Sequence, residues 1–148
     1  MLQDILLIFR ELPTCCRQTS QPYPILSSAA FSILRTSAMT SLTAFFSGRD
    51  WYVWGAGLYG SRLKEFLDTM GVRICGFIDS SPDKQGMNVG GIKIYGWKDV
   101  ACEARNVCIA IKDRAATEQI KALVHDTAPS VSVYGFADLT DYAVRRMA

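Results

Sequence analysis

The sequence predicts an α/β domain, a parallel β-sheet with helices on its faces. Short apolar runs alternate with longer stretches of helical spacing from residue 50 onward, and several of the runs end at glycine. Strands that are separated by helices pair in parallel, because each crossover returns the chain in the same direction. The chain has 148 residues, of which 49% are hydrophobic. It is therefore long enough for one domain and too apolar for wholesale disorder.

The first half of the predicted domain contains two strands and a helix. Trp51–Trp54 is a continuous apolar run of the kind that a buried parallel strand shows. A helix is predicted over Leu58–Met70, with Gly71 as the residue that ends it. Val72–Ile78 predicts the second strand, and the glycines and proline of Ser80–Gly91 predict a loop.

The second half continues the alternation of strands and helices. Its strands are short runs of β-branched and small residues, and its helices have apolar residues on one face. The predicted elements are strand Ile92–Tyr95, helix Trp97–Ala104, strand Val107–Ile111, helix Arg114–His125, strand Val131–Tyr134 and helix Asp138–Met147.

The composition changes near residue 50, which predicts an N-terminal arm (residues 1–49) and a domain (residues 50–148). No acidic residue occurs between Pro13 and Arg49, and the boundary is placed at Ser47–Asp50. Within the arm, Leu2–Leu12 predicts a short helix and Pro13–Pro24 a loop. A second helix is predicted over Ser28–Phe46, with Gly48 stopping it.

Three interpretations of the arm stay open. It is a helical arm, a mispredicted extension with the true start at Met39, or a targeting segment. The acids Asp4 and Glu11 argue against the last, because organelle transit peptides avoid acidic residues. No residue of the arm indicates chemistry, although an apolar arm is suited to forming a homo-oligomer.

The formal net charge of +2 belongs to the arm. Residues 1–49 hold four arginines and two acids, whereas residues 50–148 hold 12 basic and 12 acidic residues. A neutral domain without a Lys/Arg cluster does not suggest nucleic-acid binding. No run approaches the about 18 apolar residues of a membrane helix, nor does the start resemble a secretory signal. We therefore expect a cytoplasmic protein.

The five cysteines do not indicate a metal site. They form no CxxC pair, and the single histidine is His125. Cys75, Cys102 and Cys108 fall on a predicted strand, helix and strand, so we interpret them as buried, reduced thiols. His125 lies near a predicted helix C-terminus, a structural position that favours a cation.

The first strand runs into Gly55-Ala56-Gly57-Leu58-Tyr59-Gly60, a GxGxxG sequence between a strand and a helix. In this setting Gly55 allows a tight turn, Gly57 lets a phosphate approach the backbone, and Gly60 lets the helix pack closely. The helix beginning at Leu58 directs N–H groups and its positive dipole end at the phosphate. Tyr59 faces this loop or solvent. The pattern predicts a Rossmann-like nucleotide-binding domain.

Asp79 ends the second predicted strand, where it is placed to accept hydrogen bonds from ribose hydroxyls. Alternatively, it caps the turn Ser80-Ser81-Pro82. Its charge would repel a 2′-phosphate, which disfavours NADP unless Lys84 compensates. A broader alternative is that the domain retains the glycine turn for folding and has lost its ligand.

Lys112 and Arg114 follow the fourth predicted strand, at the edge of the sheet where open α/β folds bind ligands. Arg114 either holds a phosphate or is a solvated residue of a first helical turn. Trp51, Trp54 and Trp97 are most simply explained as core residues.

Three segments of the domain resemble a known family. They are Val53-Trp54-Gly55-Ala56-Gly57-Leu58-Tyr59-Gly60, Gly76-Phe77-Ile78-Asp79-Ser80-Ser81-Pro82-Asp83-Lys84-Gln85-Gly86 and Gly91-Ile92-Lys93-Ile94-Tyr95-Gly96. Together they resemble the N-terminal domain of bacterial sugar acyltransferases of the PglD/NeuD type and modules beside FkbM-type methyltransferases. The resemblance implies the GxGxxG residues at a UDP-sugar pyrophosphate, and Asp79 and Ser80 near the ribose or base.

The resemblance does not extend to catalysis. The acyltransferases place their catalytic histidine in a β-helix of hexapeptide repeats, and this sequence has no such repeat. We therefore expect a non-catalytic module that binds a UDP-sugar or NAD, without metal, in bacterial surface-glycan synthesis, beside a transferase partner. Two alternatives stay open: a minimal or fragmentary NAD-dependent oxidoreductase, and a scaffold domain without ligand.

Overall fold

The structure is a computed structural model that describes residues 28–147. The predicted helix Leu2–Leu12 and loop Pro13–Pro24 lie outside the described residues. The elements in chain order are α1 (Ser28–Phe46), β1 (Trp51–Trp54), α2 (Leu58–Thr69), β2 (Ile74–Ile78), β3 (Asn88–Val89), β4 (Ile92–Tyr95), α3 (Trp97–Val100), β5 (Asn106–Ile109), α4 (Arg114–Thr127), β6 (Ser132–Tyr134) and α5 (Phe136–Met147).

The strands form one mostly parallel sheet in the order β3-β4-β2-β1-β5-β6. β1 lies near its middle, with Val53 opposite Phe77 of β2 on one side and Cys108 of β5 on the other. β3 runs antiparallel to β4, and the other neighbouring strands are parallel. The predicted class, an α/β domain with helices flanking a parallel sheet, is confirmed.

Alternate residues of β1 fill two hydrophobic cores on opposite faces of the sheet. Trp51 and Val53 pack with residues of α1, α2 and α5, and Tyr52 and Trp54 pack with residues of α3 and α4. A strand covered on both faces is apolar at every position, which explains the unbroken run. Trp51, Trp54 and Trp97 are all buried, as predicted.

Helix α1 has the predicted bounds, and Gly48 follows it with a φ of +72°. Leu42, Phe45 and Phe46 are buried in the same core as Trp51. The indole Nε1 of Trp51 donates a hydrogen bond of 2.9 Å to the carbonyl oxygen of Phe46. The end of the arm therefore packs on the sheet. The boundary between arm and domain at residues 47–50 stays a prediction.

The predicted loop Ser80–Gly91 was incomplete, because it contains strand β3. Asn88 and Val89 pair with Lys93 and Ile92. The connecting glycines, Gly90 and Gly91, both have positive φ, +56° and +78°. Two such residues form the turn that matches the twist of a tight hairpin, so the Gly-Gly pair was the signal for β3.

Most of the other elements differ from the prediction by one or two residues at an end, and α3 is four residues shorter than predicted. Val72 lies in the turn that closes α2 and not in a strand, because its N–H donates to the carbonyl oxygen of Leu67 at 2.9 Å. Gly71, with a φ of +71°, makes this closing turn possible. Helix α3 ends at Val100 and not at Ala104, and a non-helical turn follows it.

The interpretation of the cysteines as buried is right for Cys108 and wrong for Cys75 and Cys102, which are exposed. Cys102 lies in the turn beyond the shortened α3, and burial along β2 becomes continuous only after Cys75. Burial raises the pKa of the Cys108 thiol to about 12. This thiol is therefore a protonated, inert part of the core.

No helix among residues 28–147 combines the length and the apolar character that a membrane crossing requires.

Candidate functional site

The candidate site lies at the carboxyl edge of the sheet, between β1 and β5. From β1 the chain crosses to β2 on one side, and from β5 it continues to β6 on the other. The strand order therefore reverses between these two neighbours. Such a reversal leaves a crevice between the loops that follow the strands, and open α/β sheets bind ligands there.

Gly55 makes the sharp turn out of β1. Its φ of +109° is a conformation that residues with a Cβ rarely adopt. Its N–H donates to the carbonyl oxygen of Ile78 at 2.7 Å, and a Cβ here would lie 3.0 Å from the carbonyl oxygen of Ala110. The turn is thus held between the ends of β2 and β5.

Gly60 packs the first turn of α2 against that same turn. A Cβ on Gly60 would lie 1.8 Å from the carbonyl oxygen of Gly55, far inside a van der Waals contact. The side chain of Phe77 lies on the same side, at 3.3 Å. The third glycine is therefore required for the helix to approach the strand.

Gly57 differs from both because its surroundings place no restriction on a side chain. It is the N-cap of α2, with extended φ and ψ of −108° and −158°, and a Cβ here would have no heavy atom within 4 Å. No side chain caps the helix, and its first turn holds no acidic residue. The helix therefore presents its first N–H groups and the positive end of its dipole beside a bare backbone.

Asp79 joins the glycine loop to the turn that follows β2. Its Oδ2 accepts a hydrogen bond from Ala56 N at 3.0 Å, and its Oδ1 accepts one from Ser81 N at 2.9 Å. The ammonium group of Lys84 is 3.1 Å from Oδ2. The proposed capping of the Ser80-Ser81-Pro82 turn is thus present, together with a bond to the glycine loop that the sequence did not indicate.

These contacts hold Asp79 in its charged form. Burial alone would raise the pKa of the carboxyl, but the hydrogen bonds from Ser81 and Ala56 and the charge of Lys84 outweigh it and lower the pKa. Two backbone donors and one cation are the arrangement that stabilises a carboxylate in a partly desolvated position.

Asp79→Asn is expected to lower the free energy of unfolding by about 1–3 kcal/mol at pH 7, because an amide cannot accept from both backbone donors. The pKa of Asp79 in the folded state lies below its ordinary value of 3.8, so this stabilisation is fully present above pH 3.8. It is lost as pH falls through the folded pKa. Urea unfolding from pH 7 to pH 3 should therefore show the gap between wild type and variant narrowing below about pH 3.8.

The matched control is Asp83→Asn, an exposed carboxylate on the same turn. It should change the free energy of unfolding by less than about 0.5 kcal/mol. Equal stability of wild type and Asp79→Asn at pH 7 would contradict the role assigned to the Asp79 carboxylate.

The other predicted site residues lie at the start of α2 and on the segments that follow β2 and β5. Leu58 is 62% exposed at the start of α2, and the Tyr59 ring packs edge-on against Phe136 with centroids 6.3 Å apart. Ser80 is exposed beside Asp79. Lys112 and Arg114 are exposed on the segment that follows β5.

Asp113 fixes the start of α4, which follows β5. Its Oδ1 accepts a hydrogen bond from Ala116 N at 2.8 Å and so caps α4. Arg114 is the first residue of α4, which like α2 starts at the carboxyl edge of the sheet. A phosphate contact by Arg114 stays a prediction.

Sequence reasoning missed Gln85 and Ile111. The Nε2 of Gln85 donates to the Asp79 carbonyl oxygen at 2.9 Å, and Ile111 Cγ1 would lie 3.2 Å from a Cβ on Gly55. No pattern indicates Gln85. The position of Ile111 follows from β5 ending at the same edge as β1.

Within residues 28–147, no three His, Cys, Asp or Glu side chains come together as metal ligands. His125 is exposed in the last turn of α4, where a cation is favourable.

Comparison with known proteins shows a similarity of fold to solved structures and identifies no family. No protein-family model matches the sequence, and no curated protein matches it. The resemblance to sugar acyltransferase modules therefore stays a prediction.

Among solved structures, the chain is similar to a UDP-D-quinovosamine 4-dehydrogenase from Vibrio fischeri, with 22% identity, coverage of 63% of this chain and 84% of that chain, and a TM-score of 0.45. It is also similar to RSP in complex with β-NAD⁺ and operator DNA, with 18% identity, coverage of 65% and 48%, and a TM-score of 0.47. A structure of RSP in complex with β-NADH gives 15% identity, coverage of 76% and 67%, and a TM-score of 0.45.

Proposed function

We propose that this domain binds the diphosphate of a nucleotide or nucleotide-sugar at the loop Gly55–Gly60, without catalysing a reaction itself. The observation that supports it is the surroundings of Gly57. Its backbone is bare, a Cβ there would meet no atom within 4 Å, and α2 begins beside it without a side-chain cap. Phosphate bound at such a helix start accepts hydrogen bonds from backbone N–H groups and needs no lysine in the loop.

Folding requirements account for two of the three glycines but not for the third. Gly55 is needed for its positive φ, and Gly60 is needed because a Cβ would meet the Gly55 carbonyl. A domain that retained this loop only as a turn could carry any good N-cap residue, such as serine or asparagine, at position 57. Gly57 is thus the feature that favours a ligand over a scaffold domain.

The wider assignment rests on the sequence resemblance. We propose a UDP-sugar as the first ligand class and NAD as the second, in surface-glycan synthesis and beside a separate transferase. The three cysteines among residues 28–147, Cys75, Cys102 and Cys108, are free thiols, which is consistent with a reducing compartment such as the cytoplasm. An NAD-dependent oxidoreductase is the alternative, since an acid at the end of β2 is the usual partner of the NAD ribose.

The test is titration of the full chain with UDP-sugars and with NADH while thermal unfolding is followed. A ligand at a hundred times its Kd should stabilise the folded state by about 2.7 kcal/mol. Stabilisation by UDP-sugars supports the binding module, and stronger stabilisation by NADH favours the oxidoreductase. If neither changes the unfolding temperature, the proposed function is wrong and the scaffold alternative remains.

A further inference from the structure

The Asp79 carboxylate is already bonded to groups of this chain. A carboxylate offers about four acceptor positions, two on each oxygen. Oδ2 accepts hydrogen bonds from Ala56 N at 3.0 Å and from Lys84 Nζ at 3.1 Å, and Oδ1 accepts one from Ser81 N at 2.9 Å. The side chain is 12% exposed. The bonds made within residues 28–147 therefore leave one acceptor position, on Oδ1.

The shortage of acceptors matters for a ribose. A carboxylate binds the 2′ and 3′ hydroxyls together when each of its two oxygens accepts from one of them. Here Oδ2 has both of its positions filled, so a bound ribose can donate only one hydroxyl to Asp79. A 2′-deoxyribose retains its 3′ hydroxyl for the position on Oδ1. Loss of the 2′ hydroxyl therefore costs no hydrogen bond to this carboxylate.

Lys84 is the donor that completes the filling of Oδ2. Ala56 and Ser81 donate through the backbone, whereas Lys84 donates through its side chain. The turn that carries it is held in place, because Lys84 N donates to Ser81 O at 3.2 Å and Gln85 Nε2 donates to Asp79 O at 2.9 Å. The Lys84 side chain is 46% exposed, so water serves its other donors and a neutral hydroxyl adds little to them.

We propose that the Lys84–Asp79 ion pair closes the carboxylate to a ribose diol, so that the site accepts 2′-deoxyribonucleotides as readily as ribonucleotides. This inference rests on the proposed binding of a diphosphate at the glycine loop, and it extends the ligand class to nucleotides of both sugars. The diphosphate is common to both. Asp79 is then a positioning residue for the loop, and Lys84 determines the specificity.

The test compares nucleotides that differ by one hydroxyl. UDP and dUDP form one pair, and ADP and dADP form a second, so that the result does not depend on the base. Affinities are measured by calorimetry on the full chain. In each pair that binds, the two Kd values should agree within about threefold. Loss of a hydrogen bond to a charged carboxylate would instead weaken the deoxy member about tenfold or more.

Removal of the ion pair should create the discrimination that the wild type lacks. Lys84→Met leaves Ala56 N on Oδ2 and frees one position, so that each oxygen can accept a hydroxyl. The ribonucleotide should then bind about tenfold more tightly than its deoxy partner. A variant that merely disturbed the turn would weaken both members of the pair equally.

Two controls assign the effect to the ion pair. Lys84→Arg keeps a cationic donor beside Oδ2 and should bind both members of a pair equally, as should Asp83→Asn on the same turn. Asp79→Asn combined with Lys84→Met removes the carboxylate that would accept the diol. This double variant should lose the preference that Lys84→Met shows alone.

The outcomes separate this inference from the proposed function. A wild type that binds the members of a pair with affinities more than about threefold apart overturns the inference and leaves nucleotide binding intact. Equal binding of both members by Lys84→Met overturns it as well, because the ion pair would then not be the cause. Failure of all four nucleotides to bind the wild type overturns both proposals.

Discussion

Replacing Gly57 with valine is expected to weaken nucleotide binding about a hundredfold while the domain stays folded. The φ and ψ of −108° and −158° are compatible with valine, and no heavy atom lies within 4 Å of the new Cβ. The two added methyl groups occupy the space through which a phosphate would reach the N–H groups of α2. Losing two charge-assisted hydrogen bonds corresponds to about 3 kcal/mol, which is about a hundredfold in Kd.

The measurement is calorimetric titration with the ligand that binds the wild type most tightly, combined with urea unfolding of the free protein. Valine is a poor N-cap residue, so a loss of about 1 kcal/mol in stability is expected. Gly57→Ala adds one methyl group and should give an intermediate loss of affinity. Asp126→Val changes an exposed residue in the last turn of α4 and should bind as the wild type does. Unchanged affinity in Gly57→Val would rule out the phosphate loop.

Replacing Gly60 with alanine is expected to lower the free energy of unfolding by about 3 kcal/mol or more. The new Cβ would lie 1.8 Å from the Gly55 carbonyl oxygen, which belongs to the backbone and cannot rotate away. Either the loop or α2 must move, and Phe77 at 3.3 Å limits that movement. Overpacking against flexible side chains costs about 1–3 kcal/mol, and contact with a fixed backbone atom costs more.

Thermal unfolding followed by circular dichroism should show this as a decrease of about 10 °C in Tm. Two controls separate the clash from other effects of losing a glycine. Gly57→Ala has neither contact nor strain, but alanine is a poorer N-cap residue than glycine, so Tm should fall by only about 2–4 °C. Gly86→Ala has a φ of +87° without a contact and should cost about 1 kcal/mol. A Tm of Gly60→Ala equal to that of Gly57→Ala would contradict the packing assigned to Gly60.

The contrast between these two glycines could be anticipated from the sequence only in outline. The position of a GxGxxG run between an apolar strand and a helix indicates a tight turn, an open backbone and a close contact. The contact partner of Gly60 and the absence of neighbours at Gly57 depend on how α2 lies across β1 and β2. A spacing rule cannot supply that packing.

Asp79 shows more clearly where sequence reasoning stops. Its place at the end of β2 follows from the apolar run before it, and both a ribose contact and a turn cap are reasonable for an acid there. The bond to Ala56 N brings together residues that are far apart in sequence. It forms because β1 and β2 are parallel neighbours that end at the same edge. The pattern alone gave no reason to prefer one partner.

The local pattern of the chain was enough for the α/β class, the helix Ser28–Phe46, the burial of the three tryptophans and the location of the glycine loop. These follow from short-range physics: apolar periodicity, glycine conformations and the need of a central strand to be covered on both faces. Strand order, the exposure of Cys75 and Cys102 and the partners of Asp79 were decided by tertiary structure. They depend on which distant segments become neighbours, and that is determined by how the whole set of helices and strands packs around β1.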